Sequence, residues 1–154
     1  VQLIDFSGEI HKSWNGEFVS KANNSKIIHK INLLSLNIEP NYFNDKYLYA
    51  NASINDEIIA EKMKYLTPVK NLDIDAPKFT YEVKALNNFY EIKLFSENLV
   101  KNLFIDSDLE YNFSDNYFDL RPNEQKVIRI KRDKFHSINS FKESLNFLTL
   151  YDTY

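Results

Sequence analysis

Alternation is the feature that most constrains this chain. Apolar and polar residues exchange with a period of two along most of its 154 residues. Phe79, Tyr81 and Val83 interleave with Thr80, Glu82 and Lys84, and Tyr90, Ile92 and Leu94 with Glu91 and Lys93. A period of two sends successive side chains to opposite faces of a strand. Helical patterns of about 10–15 residues, which alternating βαβ units require, are missing. The first half reads as strands over Val1–Phe6, Glu9–Phe18 (interrupted at Asn15-Gly16), Lys26–Ile31, Tyr47–Ile54 and Glu57–Leu66. Asn55-Asp56 between the last two predicts a hairpin. Leu33–Phe43, with Pro40, reads as a long connection. The second half adds Phe79–Lys84, Tyr90–Phe95, Leu99–Asp106, Phe113–Leu120, Gln125–Lys131 and Leu145–Tyr151. One short helix is predicted where Ser140 and Glu143 have the spacing of a capping box.

Short strands separated by turn signals predict antiparallel sandwiches. Thr67–Pro77 holds Pro68 and Pro77 and breaks the pattern. The expected organisation is therefore all-β, with two immunoglobulin-like sandwiches in tandem. Residues 1–66 form the first, 67–76 a linker and 77–154 the second. Such a sandwich has about seven strands, and the first unit supplies five. With its start at Val1 and no Met or leader, the first unit is expected to be truncated at its N-terminus and the chain to be a piece of something longer. Open edges and apolar faces around Leu3, Ile28 and Ile58 would then favour self-association.

Composition narrows the function classes. The net charge of −3 offers no basic excess for nucleic acid or anionic lipid. No apolar run approaches the roughly 18 residues of a membrane helix. Without Cys there are no disulfides, thiolate nucleophiles or Cys-zinc sites, and the compartment stays open. Two Gly, Gly8 and Gly16, cannot build a phosphate loop. The 19 Asn take over turn positions, because Asn tolerates the left-handed region.

Each candidate for chemistry has a plainer reading. His11 and His29 could face each other on neighbouring strands, with Glu9 completing a metal site, but no two of His11, His29 and His136 share a motif spacing. The carboxylate pairs Asp73/Asp75, Asp106/Asp108 and Asp115/Asp119 invite comparison with a glycosidase pair. They fall at strand ends and turns, where Asp bonds local backbone. Trp14 and the Tyr residues could form a sugar platform, although most of the 12 Phe and 10 Tyr should fill cores and cross-strand pairs. The sequons at Asn23, Asn51 and Asn112 occur at about the frequency that chance gives. The residues therefore indicate no catalytic, cofactor or metal site.

The string Phe113-Ser-Asp-Asn-Tyr-Phe-Asp-Leu-Arg-Pro-Asn-Glu124 resembles the FSDNYFDLLPGE motif of β-mannosidases of glycoside hydrolase family 2. Tyr90–Ile105 resembles that family's strand–turn–strand before the motif, and Leu148–Tyr154 its terminal SLYDTY. Leu3–Gly8 resembles LMDFDGK, and Ala22–Ser25 resembles PANSS. The resemblance implies the two immunoglobulin-like domains that follow a (β/α)₈ catalytic barrel. The family's catalytic Glu residues match no position here. The implied role is accessory and non-catalytic: bracing the barrel of a retaining glycosidase, with that barrel and the parent's other domains as partners. A carbohydrate-binding β-sandwich module, or the tail of a related exo-glucosaminidase, is the alternative. Within the motif, Phe113, Tyr117, Phe118 and Leu120 are expected to anchor a strand, and Ser114, Asp115 and Asn116 to bend it. Asp119, Pro122 and Glu124 are further members of the same structural motif. The family's Pro-Gly turn is Pro122-Asn123 here, and the second Leu is Arg121.

Overall fold

The computed structural model describes residues 1–19, 21–23, 25–32, 39–109, 111–132 and 137–153. They divide into two compact units. The first holds Val1–Asp5 and Ile10–Asp73, and the second Phe6–Glu9 and Ile74–Tyr154. Strands dominate both, as the alternation requires. No helix among the described residues is long and apolar enough to cross a membrane.

The first unit is a four-stranded antiparallel sheet. Strands β1 (Gln2–Asp5), β2 (Ile10–Ser13), β3 (Lys46–Ile54) and β4 (Glu57–Tyr65) lie in the order β2-β1-β3-β4. Leu3, Ile4, Tyr47 and Tyr49 are buried. Tyr49 satisfies its hydroxyl by donating to Glu61 Oε2 at 2.7 Å. Asn55 and Asp56 join β3 to β4 with φ of 50° and 65°, as a type I′ hairpin requires at both central positions. Beyond this frame the alternation overreaches. Only Ile10–Ser13 of the stretch Glu9–Phe18 is a strand. Lys26–Ile31 is not one, and Ile27 and Ile28 are 73% and 54% exposed. Period two orients side chains but supplies no partner for the backbone, and no described strand pairs with this stretch. Of the three residues expected to lie on open apolar faces, Leu3 is buried, while Ile28 and Ile58 are exposed. Within Leu33–Phe43, residues 33–38 lie outside the described residues, and Pro40–Phe43 is a 3-10 turn.

The second unit packs two three-stranded sheets face to face. One has the order β5-β6-β9, from Phe79–Ala85, Phe89–Ser96 and Gln125–Lys131. The other has the order β10-β7-β8, from Leu145–Leu148, Val100–Ser107 and Phe118–Leu120. The inward residues are those the alternation selects: Tyr90, Ile92 and Leu94, Leu103 and Ile105, and Ile128 and Ile130. Helix α1 (Ile138–Glu143) closes one side. Its Phe141 stacks on Tyr90 with centroids 4.3 Å apart and planes 7° apart.

Three local expectations change here. The helix is capped by Ser137, which accepts from Ser140 N at 3.1 Å, so Ser140 lies inside the helix and Glu143 at its end. The cap thus lies one turn earlier than the Ser140–Glu143 spacing predicts, because the Ser137 hydroxyl already reaches the N–H three residues on. Strand pairing in Phe113–Leu120 is confined to Phe118–Leu120 and a single bridge from Phe113 to Ile130. The last strand stops at Leu148 and passes into a 3-10 turn over Leu150–Thr153, where Asp152 accepts from Thr149 N and Oγ1.

Candidate functional site

The segment Phe113–Glu124 is built by side chains that bond to backbone. Ser114 exchanges bonds with Arg129: its N–H donates to Arg129 O at 3.0 Å, and its Oγ accepts from Arg129 N at 2.9 Å. Asp115 Oδ1 accepts from Asn116 N at 2.8 Å, and its Oδ2 lies 2.7 Å from Lys126 Nζ. Asn116 reaches across to β7. Its Oδ1 accepts from Ile105 N at 2.8 Å and its Nδ2 donates to Ile105 O at 2.7 Å. A primary amide thus takes the place of a strand residue and extends the β7–β8 ladder before β8 begins. Asp119 serves a bulge: Asn102, at φ 52°, donates its N–H to Asp119 Oδ1 at 2.9 Å, and Lys101 Nζ lies 3.0 Å from the same atom. The backbone bends at Ser114 and Asp115, and the Asn116 side chain makes the segment a clamp on β7. Lys101, Asn102 and Ile105 are its counterparts, and spacing alone gave no hint of them.

Leu120 enters the core, and Lys126 Nζ sits 4.2 Å above the Phe118 ring. Tyr117 points outward, 70% exposed and at φ 56°, with its ring stacked on Phe104 at 4.5 Å and 19°. Tyr117 therefore anchors no core: with Phe118 and Leu120 directed to the core, period two sends their neighbour to the opposite face. Asn123 adopts φ 60° after Pro122, and its N–H donates to Ser96 O at 2.7 Å. Glu124 pairs with Arg121. Gly8, at φ 94°, lies against this turn. A Cβ there would fall 2.9 Å from Asn123 Nδ2 and 3.0 Å from Pro122 Cβ.

Of the other candidates, Glu9 and His11 offer ligand atoms within 4.8 Å of one another and of Asp5, and the rest are dispersed. His11 Nε2 lies 2.8 Å from Asp5 Oδ2, with its ring edge-on to Tyr42. Glu9 precedes β2, His29 stands in the exposed stretch outside any strand, and His136 is outside the described residues. Asp73 and Asp75 are exposed, and Asp106 is exposed on β7. Asp108 accepts from Asn146 Nδ2 at 3.2 Å. Trp14 is half-buried, with Lys12 Nζ 5.7 Å from its ring centroid. A cleft of about 440 Å³ in the second unit is lined by Phe6, Ser7, Asp75, Lys78, Glu97 and Asn98. Asn98 spends its amide there on Lys78 N and Ala76 O.

Comparison with protein-family models matches residues 74–153 to Ig_mannosidase, an Ig-fold domain. Comparison with curated proteins finds no match. Among solved structures, a β-D-mannosidase from Dictyoglomus thermophilum superposes with a TM-score of 0.75 at 20% identity. That superposition covers 96% of this chain and 18% of the relative.

Proposed function

The chain belongs to the Ig_mannosidase family of Ig-fold domains, and from this we propose that it is a non-catalytic accessory region of a family 2 glycosidase resembling β-mannosidase. Its role is to brace the catalytic barrel of that enzyme, which would hydrolyse terminal β-mannosides. One observation carries the reading. The acidic residues of the motif are spent on the fold: Asp115 on Asn116 and Lys126, Asp119 on Asn102 and Lys101, and Glu124 on Arg121. A retaining glycosidase needs two carboxyl groups about 5 Å apart and facing one substrate bond. These side chains instead serve backbone and ion-pair roles in the sandwich.

The pure chain is expected to release no phenol from an aryl β-mannoside, and measurable turnover would overturn the reading. In the longer enzyme that the proposal requires, deleting these residues should shorten the thermal half-life of activity and leave KM unchanged. An unchanged half-life would remove the bracing role. The exposed Ile54, Ile58 and Ile59 at the β3–β4 hairpin support a second element of the proposal, that the chain by itself self-associates through its first unit.

A further inference from the structure

Asn15-Gly16 is the one Asn-Gly pair of the chain. Such a pair ordinarily closes a hairpin, with positive φ at one or both residues. Here neither residue has a positive φ. The pair follows β2, and residues 14–19 belong to no strand, helix or turn. Pairing with β1 ends just before it, where Trp14 N donates to Val1 O at 2.7 Å. Asn15 and Gly16 are both exposed. Neither enters a hydrogen bond or ion pair with another described residue. The space is open as well: a Cβ built on Gly16 meets no atom within 4 Å.

These features leave the Gly16 peptide nitrogen unengaged beside the Asn15 side-chain amide. A peptide N–H is normally committed to a backbone partner, and here it is not. Attack within the chain needs no encounter step, and Gly puts no side chain in its way. Other Asn residues are held. In Asn139-Ser140, the Ser140 N–H is donated to Ser137 Oγ at 3.1 Å. Asn55-Asp56 is fixed in the β3–β4 hairpin at φ of 50° and 65°.

We propose that Asn15 is a site of spontaneous deamidation through a succinimide. The Gly16 nitrogen loses its proton to hydroxide and attacks Asn15 Cγ. A bond forms between that nitrogen and Cγ, the bond from Cγ to Nδ2 breaks, and ammonia leaves with a proton taken from water. Water then opens the ring. Opening at Cγ gives aspartate; opening at the main-chain carbonyl gives isoaspartate, in which the backbone runs through the former side chain. Water is the only co-reactant. Either product adds one negative charge to the net −3 of the chain. Because the site lies beyond the last β1–β2 pair, the sheet of the first unit keeps its pairing. The inference is independent of the accessory role.

The test incubates the 154-residue chain at mildly alkaline pH and then digests it with trypsin. The peptide Ser13–Lys21 is followed by mass against synthetic aspartyl and isoaspartyl standards. Asn15 is expected to react faster than any other Asn, with isoaspartate in excess, and as fast in the native chain as in the free peptide. Gly16→Ala fits the open space and should slow the reaction by about tenfold, a barrier difference of about 1.4 kcal/mol. Asn15→Gln should give no product. A native rate far below that of the free peptide would overturn the site. So would aspartate without isoaspartate, or an unchanged rate in Gly16→Ala.

Discussion

At the scale of single residues, the left-handed positions explain the most. Asn123 stands where a Pro-Gly turn would place Gly, and its φ of 60° is what the substitution from Gly to Asn requires. Asn123→Gly should therefore be neutral or slightly stabilising. Asn123→Val should cost about 1–2 kcal/mol through the branched Cβ. Denaturant midpoints for the two variants check this, and equal midpoints would refute the turn. Gly8 faces the same turn with a stricter demand, because φ 94° and the nearness of Pro122 Cβ act together. Gly8→Ala is expected to cost about 2 kcal/mol or more, seen as a lower melting temperature. No spacing rule links Gly8 to Pro122. The two meet only because residues 6–9 pack in the second unit.

At the scale of elements, the β7–β8 edge is held by an amide rather than by strand pairing alone. Asn116 closes both backbone groups of Ile105. Asn116→Ala leaves a donor and an acceptor unpaired, at a cost of about 2–3 kcal/mol. Asn116→Asp keeps the bond from Ile105 N and loses the one to Ile105 O, so it should fall between. Urea melts of the three proteins test the order, and a wild-type midpoint for Asn116→Ala would show the clamp to be incidental. The helix cap is a second element-scale case. Ser137→Ala should cost about 1 kcal/mol, whereas Ser140→Ala should cost less, because Ser140 contributes its N–H to the cap. The spacing in the sequence marks Ser140, and the backbone places the cap at Ser137.

At the scale of the whole molecule, the two units differ in how much apolar surface they close. The second buries Tyr90, Ile92, Leu94, Leu103, Ile105, Ile128, Ile130 and Phe141 almost completely. The first leaves Ile27, Ile28, Ile54, Ile58 and Ile59 more than half exposed. Opening free energy follows buried contact, so amide exchange should be faster across residues 1–66 than across 77–154. If the first unit self-associates, its exchange should slow as protein concentration rises and should lose that dependence in Ile58→Lys. Uniformly slow exchange across 1–66 in a monomeric sample would contradict both expectations.

Where residues alternate and also find a neighbouring strand, pattern and structure agree. The alternation identified β3, β4, β5, β6, β7 and β9, and the positive-φ hairpin at Asn55-Asp56 was legible from two residues. The string 113–124 was legible as a motif, and so was the left-handed place of Asn123. Lys26–Ile31 shows the limit: it has the period of a strand without a described strand beside it. Tyr117 shows another, since an aromatic next to the core-facing Phe118 falls on the opposite face. Local sequence determines side-chain direction and turn conformation, because both depend on the torsions of a few adjacent residues. Tertiary structure decides which backbone groups meet a partner — Ile105 and Asn116, Asn102 and Asp119, Gly8 and Pro122 — because those pairings join positions far apart in the chain.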